Sequence, residues 1–174
     1  MRKHILILGL AASGKTTLAK RLKEITGFDV ISFDDHRYGN NWVKKSLSEF
    51  RQSVLHAINL NDTPKIIETT YNDGTDSTHA RGIIISELIP CIKKILIIKP
   101  QPLEIVVAQL IDRSINRVLK IEPQGSCEEK SLDRSRLVMK NIEYYNQNVN
   151  FLNDFAKNYE CIVGTREELF DACK

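Results

Sequence analysis

Short runs of branched aliphatic residues alternate along this chain with longer segments in which apolar positions recur every third or fourth residue. The runs His4–Leu8, Asp29–Phe33, Lys65–Thr69, Lys94–Ile98 and Glu160–Val163 are rich in Ile and Val and show little polar alternation. Strands buried on both faces of a parallel sheet read this way. The intervening segments have helical period. Lys15 to Ile25 is expected to be a helix stopped by Gly27, a C-terminal signal. Ser46 and Glu49 have the spacing of a capping box, and Val43, Leu47, Phe50, Val54 and Ile58 form one stripe beside them. Pro102 suits the first turn of a helix running to about Leu119. A long helix is expected from about Ser131 to Ala156, with Val138, Ile142, Tyr145, Val149 and Leu152 on one face. These stripes read as core rather than as cofactor contacts.

Strand–helix alternation implies parallel crossovers and a three-layer α/β fold. In such sheets ligands gather at the carboxyl ends of the strands. Gly9–Thr16, Asp34–Arg37, Glu68–Asn72 and Lys99 would then share one rim.

Length and charge narrow the picture only a little. With 174 residues the chain suits a single domain over 1–174. Its net charge of +3 is small and evenly spread, so it gives no argument for a nucleic-acid or membrane partner. The apolar stretch Ile83–Ile98 is interrupted by Glu87, Pro90, Lys93 and Lys94, which excludes a bilayer span there. Cys91, Cys127, Cys161 and Cys173 match no zinc or redox spacing and read as isolated thiols in a reducing compartment. No secretory signal is evident, and a soluble, cytoplasmic protein is the expectation.

The chemistry is concentrated first in Gly9-Leu-Ala-Ala-Ser-Gly14-Lys15-Thr16, which follows an apolar strand and opens a helix. This is a complete phosphate-binding loop in its required context. The backbone of Gly9, Ala11, Ala12, Ser13, Gly14, Lys15, Thr16 and Thr17 is expected to cradle the phosphates of ATP, assisted by the helix N-terminus. Lys15 would reach the β- and γ-phosphates and the Thr16 hydroxyl would bind Mg²⁺. The base-reading Asn-Lys-x-Asp motif of GTPases is absent, and the chain is too short for an ABC-type ATPase. A small phosphotransferase fits best.

Ser32-Phe-Asp34-Asp35-His36-Arg37 supplies the candidate acceptor side. A carboxylate there, from Asp34 or its neighbour Asp35, can align or deprotonate an acceptor hydroxyl. Arg37 can hold an anionic part of that acceptor. The same stretch also reads as a polar loop whose aspartates cap the next turn. Glu68 can bind Mg²⁺ through water, and Tyr71 and Arg81 are further substrate-contact candidates. Arg113 and Arg117 lie one helical turn apart, before a polar stretch that can close as a lid over about 113–134. The alternatives are a solvated arginine pair and a plain surface loop.

In that order the motifs resemble the adenylate-kinase-related P-loop kinases, and most closely the DNA topology modulation group. Asp34-Asp35, Tyr38, Asn41-Trp42-Val43, Ser48-Glu49-Phe50-Arg51 and Ile66-Ile67-Glu68-x-x-Tyr71 carry the likeness. It implies a five-stranded parallel sheet of order 2-3-1-4-5 flanked by helices, with Mg-ATP as donor and an acceptor-binding helical segment over about 35–62. It also implies that Arg113 flanks the adenine, that Arg117 contacts phosphate, and that Val163–Arg166 lies near the base. The chain departs from the group in having Glu68-Thr69 where an Asp-Gly pair is usual. An Asp-x-x-Arg segment also occurs in polynucleotide, chloramphenicol and adenylylsulfate kinases, so it does not choose the acceptor. The expected activity is ATP-dependent transfer to a small acceptor, most simply a nucleoside or nucleotide. The alternatives are kinase action on a non-nucleotide metabolite and an ATP-binding regulatory module linked to nucleic acid.

Overall fold

In the computed structural model, which describes residues 3–39, 43–60, 62–71, 80–118 and 134–174, five strands pair in parallel. They are β1 (His4–Leu8), β2 (Asp29–Ser32), β3 (Lys65–Thr69), β4 (Ile92–Ile98) and β5 (Ile162–Gly164). Their order is β2-β3-β1-β4-β5, as the resemblance implied. β1 is the central strand, and all five of its residues are buried.

Alternate residues of β1 feed two cores. Ile5 and Ile7 pack with Leu18 and Leu22 of α1 (Lys15–Thr26) and Leu169 of α7 (Arg166–Asp171). Leu6 and Leu8 face the other side. There they join Phe33 of α2 (Phe33–Arg37), Phe50, Val54 and Ile58 of α3 (Leu47–Asn59), and Ile84 and Ile85 of α4 (Ala80–Leu88). Val106 of α5 (Leu103–Val118) and Leu152 and Phe155 of α6 (Arg134–Asn158) complete that layer. The result is the three-layer α/β architecture, with apolar area removed from water on both faces of the sheet.

Several boundaries differ from the sequence reading. β2 ends at Ser32, and Phe33 opens a short helix, its ring buried edge-on against Phe50 at 5.8 Å. Asp34 and Asp35 occupy the first turn of that helix, where negative charge is favoured. β4 starts at Ile92, because that side chain is buried while Lys93 stays exposed beside a register irregularity at His4/Ile5. β5 runs to Gly164, whose carbonyl accepts from the Lys99 amide at 2.8 Å. Val43 lies outside the core and is 65% exposed; the Ser46–Glu49 capping box forms as expected and starts α3 after it. No helix among the described residues is long and apolar enough to cross a membrane.

Candidate active site

The chain leaves β1 at Leu8 and enters α1 at Lys15, so the loop between them hangs from the central strand of the sheet. Two residues take left-handed backbone: Ala12 at φ 62 and Gly14 at φ 88. The second is natural for glycine, while Ala12 carries a cost of about 1–2 kcal/mol that a non-glycine residue meets there. Such turns aim successive amides into one concavity. No side chain caps the first turn of α1, so its amides remain for an anion. Gly9 must be small, since a Cβ there would lie 2.7 Å from Ser13 Oγ and 3.2 Å from Ile98 Cβ. Ser13 Oγ is buried without a hydrogen-bond partner, a donor held inside the same cradle.

Lys15 Nζ donates to the Leu10 carbonyl at 2.7 Å. Burial lowers its pKa from 10.5 to about 8, against the pull of Glu68 and Asp34 and with the push of Arg81 and Arg113. Between those two values the unfolded chain binds more protons, so the ligand-free fold gains stability as pH rises through that window. Phosphate binding has the opposite sign, because it needs the ammonium. Nucleotide affinity should be flat up to pH about 8 and then fall, by as much as about tenfold per unit. Calorimetric titration of ADP across that range measures it, and an affinity unchanged well above pH 8 would refute the assignment of Lys15.

Thr16 Oγ1 donates to Glu68 Oε1 at 3.1 Å. Glu68 is buried and sits level with Ile7 and Ser32 at the carboxyl ends of three adjacent strands. A hydroxyl and a carboxylate oxygen meeting beside the phosphate cradle form a hard-oxygen donor set that fits Mg²⁺. Among the described residues there is no group of three or more His, Cys, Asp or Glu side chains that could hold a metal ion. The cation would therefore draw its remaining ligands from phosphate and water, as Mg²⁺ usually does.

Facing the loop, Asp34 Oδ1 accepts from Arg81 Nη2 at 2.7 Å. Arg81 is 6% exposed, its Nη1 donates to Thr69 Oγ1 at 3.0 Å, and its Nε is buried without a partner. The Asp34 side chain keeps 74% of its surface open to solvent. Partial loss of water on the side facing Arg81 pushes its pKa up, but the Arg81 charge and hydrogen bond, with Lys15 and Arg113 behind them, hold it below the ordinary 3.8. Asp34 is thus a firmly ionised acceptor of hydrogen bonds and a weak base.

The other candidates divide. Arg113 is exposed on α5, and its charge bears on Lys15, Asp34 and Tyr144. The side chain of Arg117 and residues 119–133 of the expected lid lie outside the described residues. Arg37 is 1% exposed; its Nη1 holds the Lys45 carbonyl at 3.0 Å and its guanidinium lies 5.0 Å from the Phe50 ring. It ties α2 to the start of α3. Asp35 is exposed, and His36 Nδ1 lies 2.9 Å from Ser53 Oγ. Tyr71 packs its ring against Phe151 and Phe155 of α6, at 5.9 and 5.1 Å. Thr17 is exposed on the first turn of α1. Arg166 reaches the loop's far side, with its Cδ 2.7 Å from where a Gly14 Cβ would stand.

One residue of the site escaped the sequence reading. Tyr144 of α6 accepts a hydrogen bond from the Ala11 amide at 2.8 Å. Its sequence surroundings are an aromatic helical stripe, which reads as core, and no motif marks it.

No protein-family model matches the chain, and no curated protein sequence matches it. Solved structures do. The shikimate kinase of Bacteroides thetaiotaomicron superposes with a TM-score of 0.56 at 13% identity, over 98% of this chain and 93% of that one. This is a P-loop kinase fold. The gluconokinase of Sinorhizobium meliloti gives 0.42 at 13% identity, over 88% of this chain and 99% of the other. A chain from Chloroflexus aurantiacus with a provisional kinase assignment gives 0.49 at 17%, over 79% and 77%. None of these three likenesses is to the DNA topology modulation group. In this fold the loop between β1 and α1 lies at the same sheet edge as the carboxyl ends of β2 and β3.

Proposed function

We propose that the protein is an ATP-dependent kinase that passes the γ-phosphoryl group to a hydroxyl of a small molecule. The observation that carries this reading is the line of contacts from the loop to Asp34: Thr16 on Glu68, then Arg81 on the adjoining Thr69 and on Asp34, with the Lys15 charge acting on both carboxylates. Cations for a migrating phosphoryl group and a carboxylate for the incoming hydroxyl are together there. The loop amides and Lys15 hold the donor phosphates. Thr16 and Glu68 would hold Mg²⁺, which would supply positive charge to offset that of the phosphates. Asp34 accepts the acceptor's hydroxyl proton in a hydrogen bond and so points its oxygen at phosphorus. Because phosphoryl transfer is largely dissociative, alignment matters more than proton removal, and a weakly basic carboxylate suffices. Arg81 and Arg113 offset negative charge as it moves toward the acceptor.

The sequence resemblance favours a nucleoside or nucleotide as acceptor. The guanidinium of Arg81 at the Asp34 wall, with its buried unpaired Nε, favours instead an anionic hydroxylated metabolite. The fold likeness to a shikimate kinase agrees with this second acceptor class. A panel of nucleosides, nucleotides and hydroxy acids incubated with protein and Mg-ATP separates the two. The expected result is ADP release stimulated by members of one class. No stimulation by any member would count against the kinase reading.

A further inference from the structure

The peptide unit joining Leu10 to Ala11 is held from both sides. Its carbonyl accepts from Lys15 Nζ at 2.7 Å, and its N–H donates to the Tyr144 hydroxyl oxygen at 2.8 Å. The Lys15 ammonium marks the β/γ end of a bound nucleotide, and one peptide unit separates the Tyr144 oxygen from it. The charges that reach Tyr144 are Arg81, Asp34 and Arg113, three of the four that reach Lys15. A tyrosine hydroxyl can both accept and donate. Its acceptor role is used by Ala11, and among the described residues nothing takes its own proton. Burial pushes the phenol pKa up despite the Ala11 hydrogen bond, so the proton stays on the oxygen at neutral pH.

We propose that Tyr144 is a contact of the transferred group: its hydroxyl, seated on the Ala11 amide, donates a hydrogen bond to a γ-phosphoryl oxygen of ATP. The inference rests on the kinase reading above and adds a residue from α6 to a site otherwise built from strand ends, α1, α4 and α5. It couples the long helix that follows residues 119–133 directly to the γ-phosphate. The alternative is that Tyr144 only props the loop through Ala11.

The two roles differ in which nucleotide notices the hydroxyl. Calorimetric titration of Mg-ADP and of a Mg-bound non-hydrolysable ATP analogue into the unaltered protein and into Tyr144→Phe separates them. A contact to the γ-phosphoryl predicts about tenfold weaker binding of the analogue, with ADP affinity kept within about twofold. Retained ADP binding also reports an intact loop in the variant. Should phenylalanine at 144 fail to fold, Tyr144→Met keeps the apolar bulk without the hydroxyl and repeats the comparison. Equal weakening of both ligands, or weakening of neither, would overturn the proposal and leave the kinase reading standing. Failure of the unaltered protein to bind either nucleotide would overturn both.

Discussion

Lys15→Ala is expected to reduce ATP turnover by at least about a hundredfold while leaving the fold as stable as before. The catalytic loss follows from removing a full positive charge from the position where charge moves. Deleting a single donor from such a site costs about two to three orders of magnitude. The neutral effect on folding follows from the same environment read the other way. Burial drives the Lys15 pKa down to about 8, so the ammonium is held in the fold at a cost that alanine does not meet. Against this stands the lost hydrogen bond to the Leu10 carbonyl, about 1 kcal/mol. Thermal melting of the variant should therefore lie at or near that of the unaltered protein. A steady-state assay of ADP formation completes the test. Turnover within about threefold of the original would remove Lys15 from the mechanism. Substitution by arginine should not rescue activity, because the broad guanidinium fork does not replace a compact ammonium folded back onto its own loop.

Both halves of this prediction trace to residues that the sequence displays openly. Gly9, Gly14, Lys15 and Thr16 are legible because a phosphate cradle demands fixed residue types at fixed offsets, and local backbone chemistry alone enforces them. The sheet was legible for a related reason: strands buried on both faces cannot hide their Ile and Val. The short helix at Asp34 was less so, since Phe33 looks like one more strand residue until its ring is seen packed on Phe50. α7 carried a readable signal, the capping box of Thr165 and Glu168, the same device that marks Ser46 and Glu49. Pairings across the cleft leave no such trace. Asp34 and Arg81 are 47 positions apart, and Tyr144 meets Ala11 across 133. Tyr144 differs in no local respect from its packed neighbours on α6. Arg37 shows the converse: its spacing from Asp34 suggests an anion contact, while its contacts with the Lys45 carbonyl and the Phe50 ring carry no sequence signal.

Asp34 is the residue where catalysis and stability can be separated most cleanly, by comparing two substitutions. Asp34→Asn keeps a carbonyl oxygen that can still accept from Arg81, so the buried guanidinium retains a neutral partner. Folding stability should fall by about 1 kcal/mol or less. Asp34→Ala removes the acceptor and leaves the Arg81 charge, 6% exposed, without a counter-charge in contact. The loss should be larger, about 1–2 kcal/mol, and below that of a fully enclosed pair because the Asp34 end is open to water. For phosphoryl transfer the two should behave alike, each losing about a hundredfold or more, since neither presents a carboxylate to the acceptor hydroxyl. Binding of a non-hydrolysable ATP analogue should survive in both. The pH dependence gives an independent sign. The folded-state pKa of Asp34 lies below its ordinary 3.8, so its contribution is full above that value and fades as pH falls through the lower one. Acid melting curves of the unaltered protein should carry that step, and those of Asp34→Asn should lack it. Transfer rates should accordingly stay level across mildly acidic and neutral pH. Loss of analogue binding in step with turnover would move Asp34 from the acceptor wall to the donor site. Full transfer by Asp34→Asn would show that the acceptor hydroxyl is aligned by another group.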